Sequence, residues 1–167
     1  MASSAAAVIG LYTASRAAQR RIRVVAVGFD LISDGLVATI DREQDMREVA
    51  TASTGDGALA NVRWHRPDVV ALDLLLPDML GEDLARRILA EYPRTRVVAI
   101  TSAPGHLHAR RALDAGVHGY LSNRVAGCEL ASAIRGVQAG GRAVPGPVAL
   151  RAAGKIRDIA CGRMAHV

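Results

Sequence analysis

The chain has 167 residues, half of them hydrophobic, and a formal net charge of +5. This composition excludes a chain disordered throughout and allows one domain with a substantial core. The basic excess sits at the ends: Arg16, Arg20, Arg21 and Arg23 precede Val24 with no acid among them, and Arg151, Lys155, Arg157 and Arg163 follow Leu150 against Asp158 alone, so a nucleic-acid reading extends only to weak, salt-sensitive contact by the tails.

Residues 1–21 are rich in Ala, Ser and Arg. A transit peptide or weak secretory signal has this look. No basic residue precedes the short apolar stretch, so a flexible or partly helical extension, or a start codon placed too far upstream, fits better. Ile22 to Val27 reads as a buried strand. Leu31, Ile32, Leu36 and Ile40 recur at helical spacing, predicting an amphipathic helix over 31–42. Val49 to Ala52 is a short second strand. Thr54 or Asp56 caps a helix running to about Arg66, with Leu59 and Val62 inward and Trp64 in a partly exposed packing role.

Asp68 to Leu72, inside PDVVALDLLLPDMLG, is apolar on both faces and reads as the central parallel strand. Asp73 follows at its carboxyl end, the edge where open α/β sheets place their chemistry. A carboxylate there serves as a nucleophile toward phosphorus, as a metal ligand, as both, or only as a loop residue making local hydrogen bonds. Glu82 to Glu91 is a helix with Leu84, Ile88 and Leu89 inward, stopped before Pro93. Arg96 to Ile100 is a fourth strand ending at Thr101-Ser102. His106 to Ala115 is a helix ended by Gly116, His118 to Leu121 a fifth strand, and Glu129 to Gln138 a helix ended by Gly140-Gly141.

Strand and helix thus alternate five times. The expected fold is a flavodoxin-like, doubly wound α/β domain over 22–144, with a five-stranded parallel sheet in order 2-1-3-4-5 and helices on both faces. Residues 145–167 form a linker, a last helix or a tail, too short for a second domain. Cys128 and Cys161 make no CxxC pair, which fits a reduced cytoplasm. His106 and His108 lie two apart and make no metal pair. No apolar run reaches the roughly 20 residues of a membrane span.

The stretches IRVVAV, RPDVVALDLLLPDMLGEDLARRIL, RVVAITSA and DAGVHGYL resemble the receiver domain of bacterial response regulators, in the flavour that precedes a LuxR-type helix-turn-helix. The resemblance covers about three quarters of the chain. It implies that Asp73 is the residue that takes a phosphoryl group from a histidine kinase. It implies that Thr101 contacts that group, that Tyr120 reports the switch, and that Pro77 and Gly81 shape the loop. The chain departs from the family where two acids after the first strand hold Mg²⁺: those positions are Gly28 and Phe29, which offer no oxygen ligand. Asp30, next in the chain, is the residual candidate ligand. The family lysine three residues beyond the strand-five aromatic is replaced by Asn123, and the neighbouring Arg124 is not an equivalent point charge. Phe29, the single Phe, is either core filler or a plug over the pocket.

The expected function is an atypical receiver without enzymatic turnover and without a cofactor. It acts in transcriptional control through protein contact and a homodimer formed on residues 106–138, independently of normal aspartyl phosphorylation. The alternatives are a conventional phospho-acceptor that uses Asp73 with Mg²⁺, and a DNA-binding regulator that has lost its helix-turn-helix. A histidine kinase or regulatory protein is the implied partner. Without a Gly-rich phosphate loop, a Ser/His/Asp set or a metal cluster in the sequence, an independent small-molecule enzyme is the weakest reading.

Overall fold

The computed structural model describes residues 20–28, 31–102, 106–125 and 127–144. The expected extension before Arg20, the tail after Val144, Phe29, Asp30 and Cys161 lie outside the described residues.

Ten elements alternate: β1 (Ile22–Val27), α1 (Leu31–Asp41), β2 (Met46–Ala52), α2 (Gly55–His65), β3 (Val69–Asp73), α3 (Gly81–Glu91), β4 (Arg96–Thr101), α4 (His106–Asp114), β5 (Gly119–Ser122) and α5 (Gly127–Gln138). The five strands form one parallel sheet in the order β2-β1-β3-β4-β5. The central position of β3 explains its composition. Every residue from Val69 to Asp73 is buried, so both faces must be apolar until the strand ends.

The sheet separates two cores. On one face α2, α3 and α4 pack Val62, Leu84, Ile88 and Ala112 against Val25, Val70, Leu72 and Val97. On the other, α1 and α5 pack Leu36, Ile40, Leu130 and Ile134 against Val24, Ala71, Val98 and Ile100. Alternate strand residues serve opposite faces, as pleating requires.

Local signals set the helix boundaries. The Thr54 side chain accepts the Gly57 N–H at 3.1 Å, which caps α2. Past Asp114, Gly116 takes φ 91°, the left-handed turn that ends α4. Three details differ from the expected pattern. β2 begins at Met46, three residues early, because its register partner β1 extends down to Ile22. Leu59 and Leu89 are half-buried, and Ala58 and Ala85 fill the innermost positions instead. Trp64 has no packing role of note: it is 84% exposed, on the solvent side of α2.

The chain also continues past α5 along the free side of β5. Ala143 bridges to Gly119 in parallel, its N–H donating to the His118 carbonyl at 2.9 Å while its own carbonyl accepts the Tyr120 N–H at 2.8 Å. This short segment satisfies backbone groups that an edge strand would leave open.

Candidate functional site

The carboxyl edge of the sheet gathers the residues singled out in the sequence. Asp73 closes β3 and is only 2% exposed. Burial pushes its carboxyl pKa up, against the pull of the Leu75 and Leu74 backbone amides. One carboxylate oxygen accepts the Leu75 N–H at 3.0 Å. The carboxylate thus makes a local hydrogen bond while standing at the carboxyl edge of the sheet.

The loop after Asp73 is held by backbone. Leu74 N–H donates to Ile100 O at 3.0 Å, and Gly81 N–H donates to Leu74 O at 3.1 Å. Leu75 and Leu80 form an antiparallel bridge across the loop. A Cβ on Gly81 would stand 2.5 Å from the Leu74 Cα and 3.0 Å from the Asp73 carbonyl oxygen. Only glycine allows this approach of α3 to the end of β3.

Asp78 is a residue of this loop whose role sequence reasoning missed. Its carboxylate accepts the Gly55 N–H at 2.8 Å and the Asp56 N–H at 3.1 Å. The Gly55 amide chiefly holds its pKa below the usual range. The Asp73 loop thereby caps α2, a helix two elements earlier in the chain, and meets the positive end of its dipole. The sequence carries no signal for this contact, since the donors lie 23 and 22 residues away.

Thr101 ends β4 one residue beyond Ile100, the register partner of Asp73, and is buried. The carboxyl and hydroxyl residues thus share the same sheet edge. Tyr120 lies within the core beneath α4, 3% exposed. Asn123 is exposed, with its N–H donating to the Thr101 carbonyl at 2.8 Å. Arg124 beside it is exposed too, its N–H turned to the Ser122 hydroxyl at 3.2 Å. A cavity of about 420 Å³ opens next to this corner between α1 and α5, lined by Leu36, Thr39, Ile100, Ser122, Asn123 and Leu130 among others. Gly28 is buried, its N–H donating to the Ala52 carbonyl at 2.9 Å.

The described side chains do not fit a Mg²⁺ site. Asp73 offers one buried carboxylate, Gly28 offers no side chain, and Asn123 offers at most a neutral amide. Among the described residues no three of His, Cys, Asp or Glu come together as a metal-holding group. Among them, too, no helix is long and apolar enough to cross a membrane.

Comparison with known proteins agrees with this geometry. The family model for the response regulator receiver domain matches residues 11–135, beginning upstream of the boundary expected at residue 22. The response regulator GacA of Pseudomonas viridiflava is 32% identical over 129 residues, covering 77% of this chain and 60% of that protein. The DNA-binding transcriptional activator DevR/DosR of Mycobacterium tuberculosis is 32% identical over 131 residues, covering 78% and 60%. The chain therefore spans about 60% of the length of these relatives.

Among solved structures, the signal receiver domain of NarL from Mycobacterium tuberculosis superposes with a TM-score of 0.70 at 27% identity, over 72% of this chain and 98% of that one. A LuxR-family two-component response regulator from Aurantimonas gives 0.73 at 28% identity, over 79% and 95%. The sheet order, the buried aspartate at the end of β3 and these matches lead to one assignment: the chain belongs to the response regulator receiver family.

Proposed function

We propose that this receiver signals by protein contact, as a homodimer, without the normal phosphorylation of Asp73. The observation that carries the reading is the balance of forces on Asp73. Burial and two backbone amides act on its carboxyl, and no cationic side chain among the described residues contributes. Phosphoryl transfer to a carboxylate is mostly positioning and charge neutralisation. Gly28 and Asn123 stand where the family keeps a metal-binding acid and a lysine, and neither supplies charge. A buried carboxyl with a raised pKa is also a poorer nucleophile, because its neutral form is favoured.

The role is regulation and not turnover of a substrate. Its relation to DevR/DosR, a DNA-binding transcriptional activator, supports a place in transcriptional control, and on this reading the protein acts in the cytoplasm. The dimer surface we assign is the outer side of α4, β5 and α5, where Leu107, Arg110, Arg111 and Cys128 are exposed. Sedimentation at micromolar concentration should give a dimer; a monomer throughout removes that part of the reading. A histidine kinase or another regulatory protein is the class of partner.

The conventional reading has its own support. Asp73, Thr101 and Gly81 keep their places at the sheet edge, and Asp30 adjoins the altered pair in sequence. One experiment separates the two. The native chain, incubated with Mg²⁺ and a small acyl-phosphate donor, should show no phosphoryl adduct by intact mass. The combined substitution Gly28→Asp, Phe29→Asp and Asn123→Lys should restore it, while Asn123→Lys alone should change little. Stoichiometric labelling of native Asp73 overturns the proposal in favour of the conventional receiver. A folded triple variant that still refuses phosphate overturns the assignment of silence to these three positions.

A further inference from the structure

The opposite edge of the sheet, where the strands begin, carries a polar cluster that the receiver reading leaves unused. His118 stands just before β5 with its backbone fixed on both sides. Its N–H donates to the Val97 carbonyl at 2.8 Å, and its carbonyl accepts the Ala143 N–H at 2.9 Å. The half-buried ring faces two donors. Val97 N–H lies 3.2 Å from Nδ1, and Nη1 of Arg96 lies 2.8 Å from Nε2.

A neutral imidazole accepts at one nitrogen and donates from the other, whereas a backbone amide and a guanidinium only donate. Val97 belongs to the β4 ladder, so Nδ1 is the acceptor and Nε2 carries the proton. Nε2–H then meets Arg96, a second donor. Protonating the ring would leave both nitrogens facing donors. Burial, with Arg96 and Arg142 beside it, lowers the His118 pKa to about 4, so the ring is neutral at pH 7.

Arg142 is brought alongside by the Ala143–Gly119 pairing. Among the described residues neither Arg96 nor Arg142 forms an ion pair. The nearby acid is already committed: the Asp68 carboxylate takes the Arg20 guanidinium at 2.8 Å and the Arg23 N–H at 2.9 Å. Two half-buried arginines therefore lie beside the neutral His118 ring, and neither has a carboxylate partner among the described residues.

We propose that Arg96, His118 and Arg142 bind an oxyanion, the phosphate or carboxylate group of a ligand, at the edge of the sheet remote from Asp73. An oxygen placed between Nε2–H and the two guanidiniums turns an opposition of donors into charge-assisted hydrogen bonds. Guanidinium forks suit both phosphate and carboxylate. The neutral ring supplies a directed N–H without needing a charge of its own. This site does not depend on whether Asp73 takes phosphate.

The test is an NMR titration of the isotopically labelled full chain, with inorganic phosphate and separately with acetate, at ionic strength held constant with chloride. The observed signals are the His118 ring nitrogens and the amides of Val97 and Ala143. Saturable shifts confined to these signals are expected, at least tenfold weaker in Arg142→Gln and in Arg96→Gln. Arg142 lies outside the five strands, so its variant carries the test even where Arg96→Gln fails to fold. Saturation by phosphate alone supports a phosphate-bearing ligand, and saturation by both supports an acidic side chain as the ligand. Shifts that never saturate, or that keep native affinity in Arg142→Gln, overturn the proposal.

Discussion

Two corners of one sheet edge meet at Asp73, and they have been treated differently. The corner from Asp73 to Gly81 is specified in detail, by backbone bonds to β4, a glycine without room for a Cβ, and an aspartate that caps a distant helix. The second corner is divided across the edge: Gly28 after β1 is buried, and Asn123 after β5 is exposed and lines an open cavity. Residues of the first corner hold the fold, so losing them costs stability. Side chains at the second corner of a receiver serve an ion and a phosphoryl group, so losing them costs only that chemistry. On the proposed reading, the fold keeps its pocket shape without the charges that make a receiver reactive.

The sharpest challenge to this contrast is Gly81→Ala. The new Cβ would press on the Leu74 Cα at 2.5 Å, against backbone and not a flexible side chain. The expected loss is about 3 kcal/mol, at the upper end of ordinary overpacking, read as a lower urea midpoint. A change within experimental error would mean that the loop is not held as described.

Asp78→Ala comes next. Two α2 amides lose their acceptor, so the urea midpoint should fall, by less than for Gly81→Ala. Asp78→Asn should recover part of the loss, because the amide oxygen still accepts. An Asp78→Ala variant with the native midpoint would show that the cap contributes nothing.

Asp73→Asn should act in the other direction and more weakly. The folded state raises the Asp73 pKa, so it binds that proton more tightly than the unfolded chain does. The stability linked to this group is complete below the unfolded value near 3.8 and is lost as pH rises through the higher folded value. At pH 7 the buried charge is a net cost, and the neutral amide removes it. The variant should therefore unfold at a higher urea concentration than native protein at pH 7, with the difference shrinking toward pH 3. Destabilisation at pH 7 would place a compensating cation beside Asp73 and undo the contrast between the corners.

The smallest effect belongs to Asn123→Ala. Its side chain is exposed and its recorded bond is through the backbone, so stability should stay within about 0.5 kcal/mol of native. A larger loss would show that the second corner carries structure after all.

Much of this was legible in the chain itself. Apolar runs such as Val69 to Leu72 announce buried strands because both faces must avoid water. Leu36 with Ile40, and Leu84 with Ile88, announce helices because one stripe faces the core. Asp73, directly after an apolar run, had to lie at a strand end. The expected departures at Gly28, Phe29 and Asn123 rest on the letters alone, since a missing carboxylate or amine is visible in one letter. Trp64 was not legible: whether the solvent side of α2 is covered depends on what packs there, and nothing among the described residues does.

Other features were decided only when the chain closed on itself. Asp78 caps α2 because the crossover from β3 passes the helix start. Arg135 on α5 bonds Asp45 at 2.7 Å and Glu43 across some 90 residues because α5 lies over the turn before β2. Arg96, His118 and Arg142 converge because β4, β5 and the segment after α5 lie side by side. Local periodicity fixes which residues turn inward, one element at a time. Which polar groups from different elements meet is set by sheet order and crossover geometry, and no stretch of sequence contains that by itself.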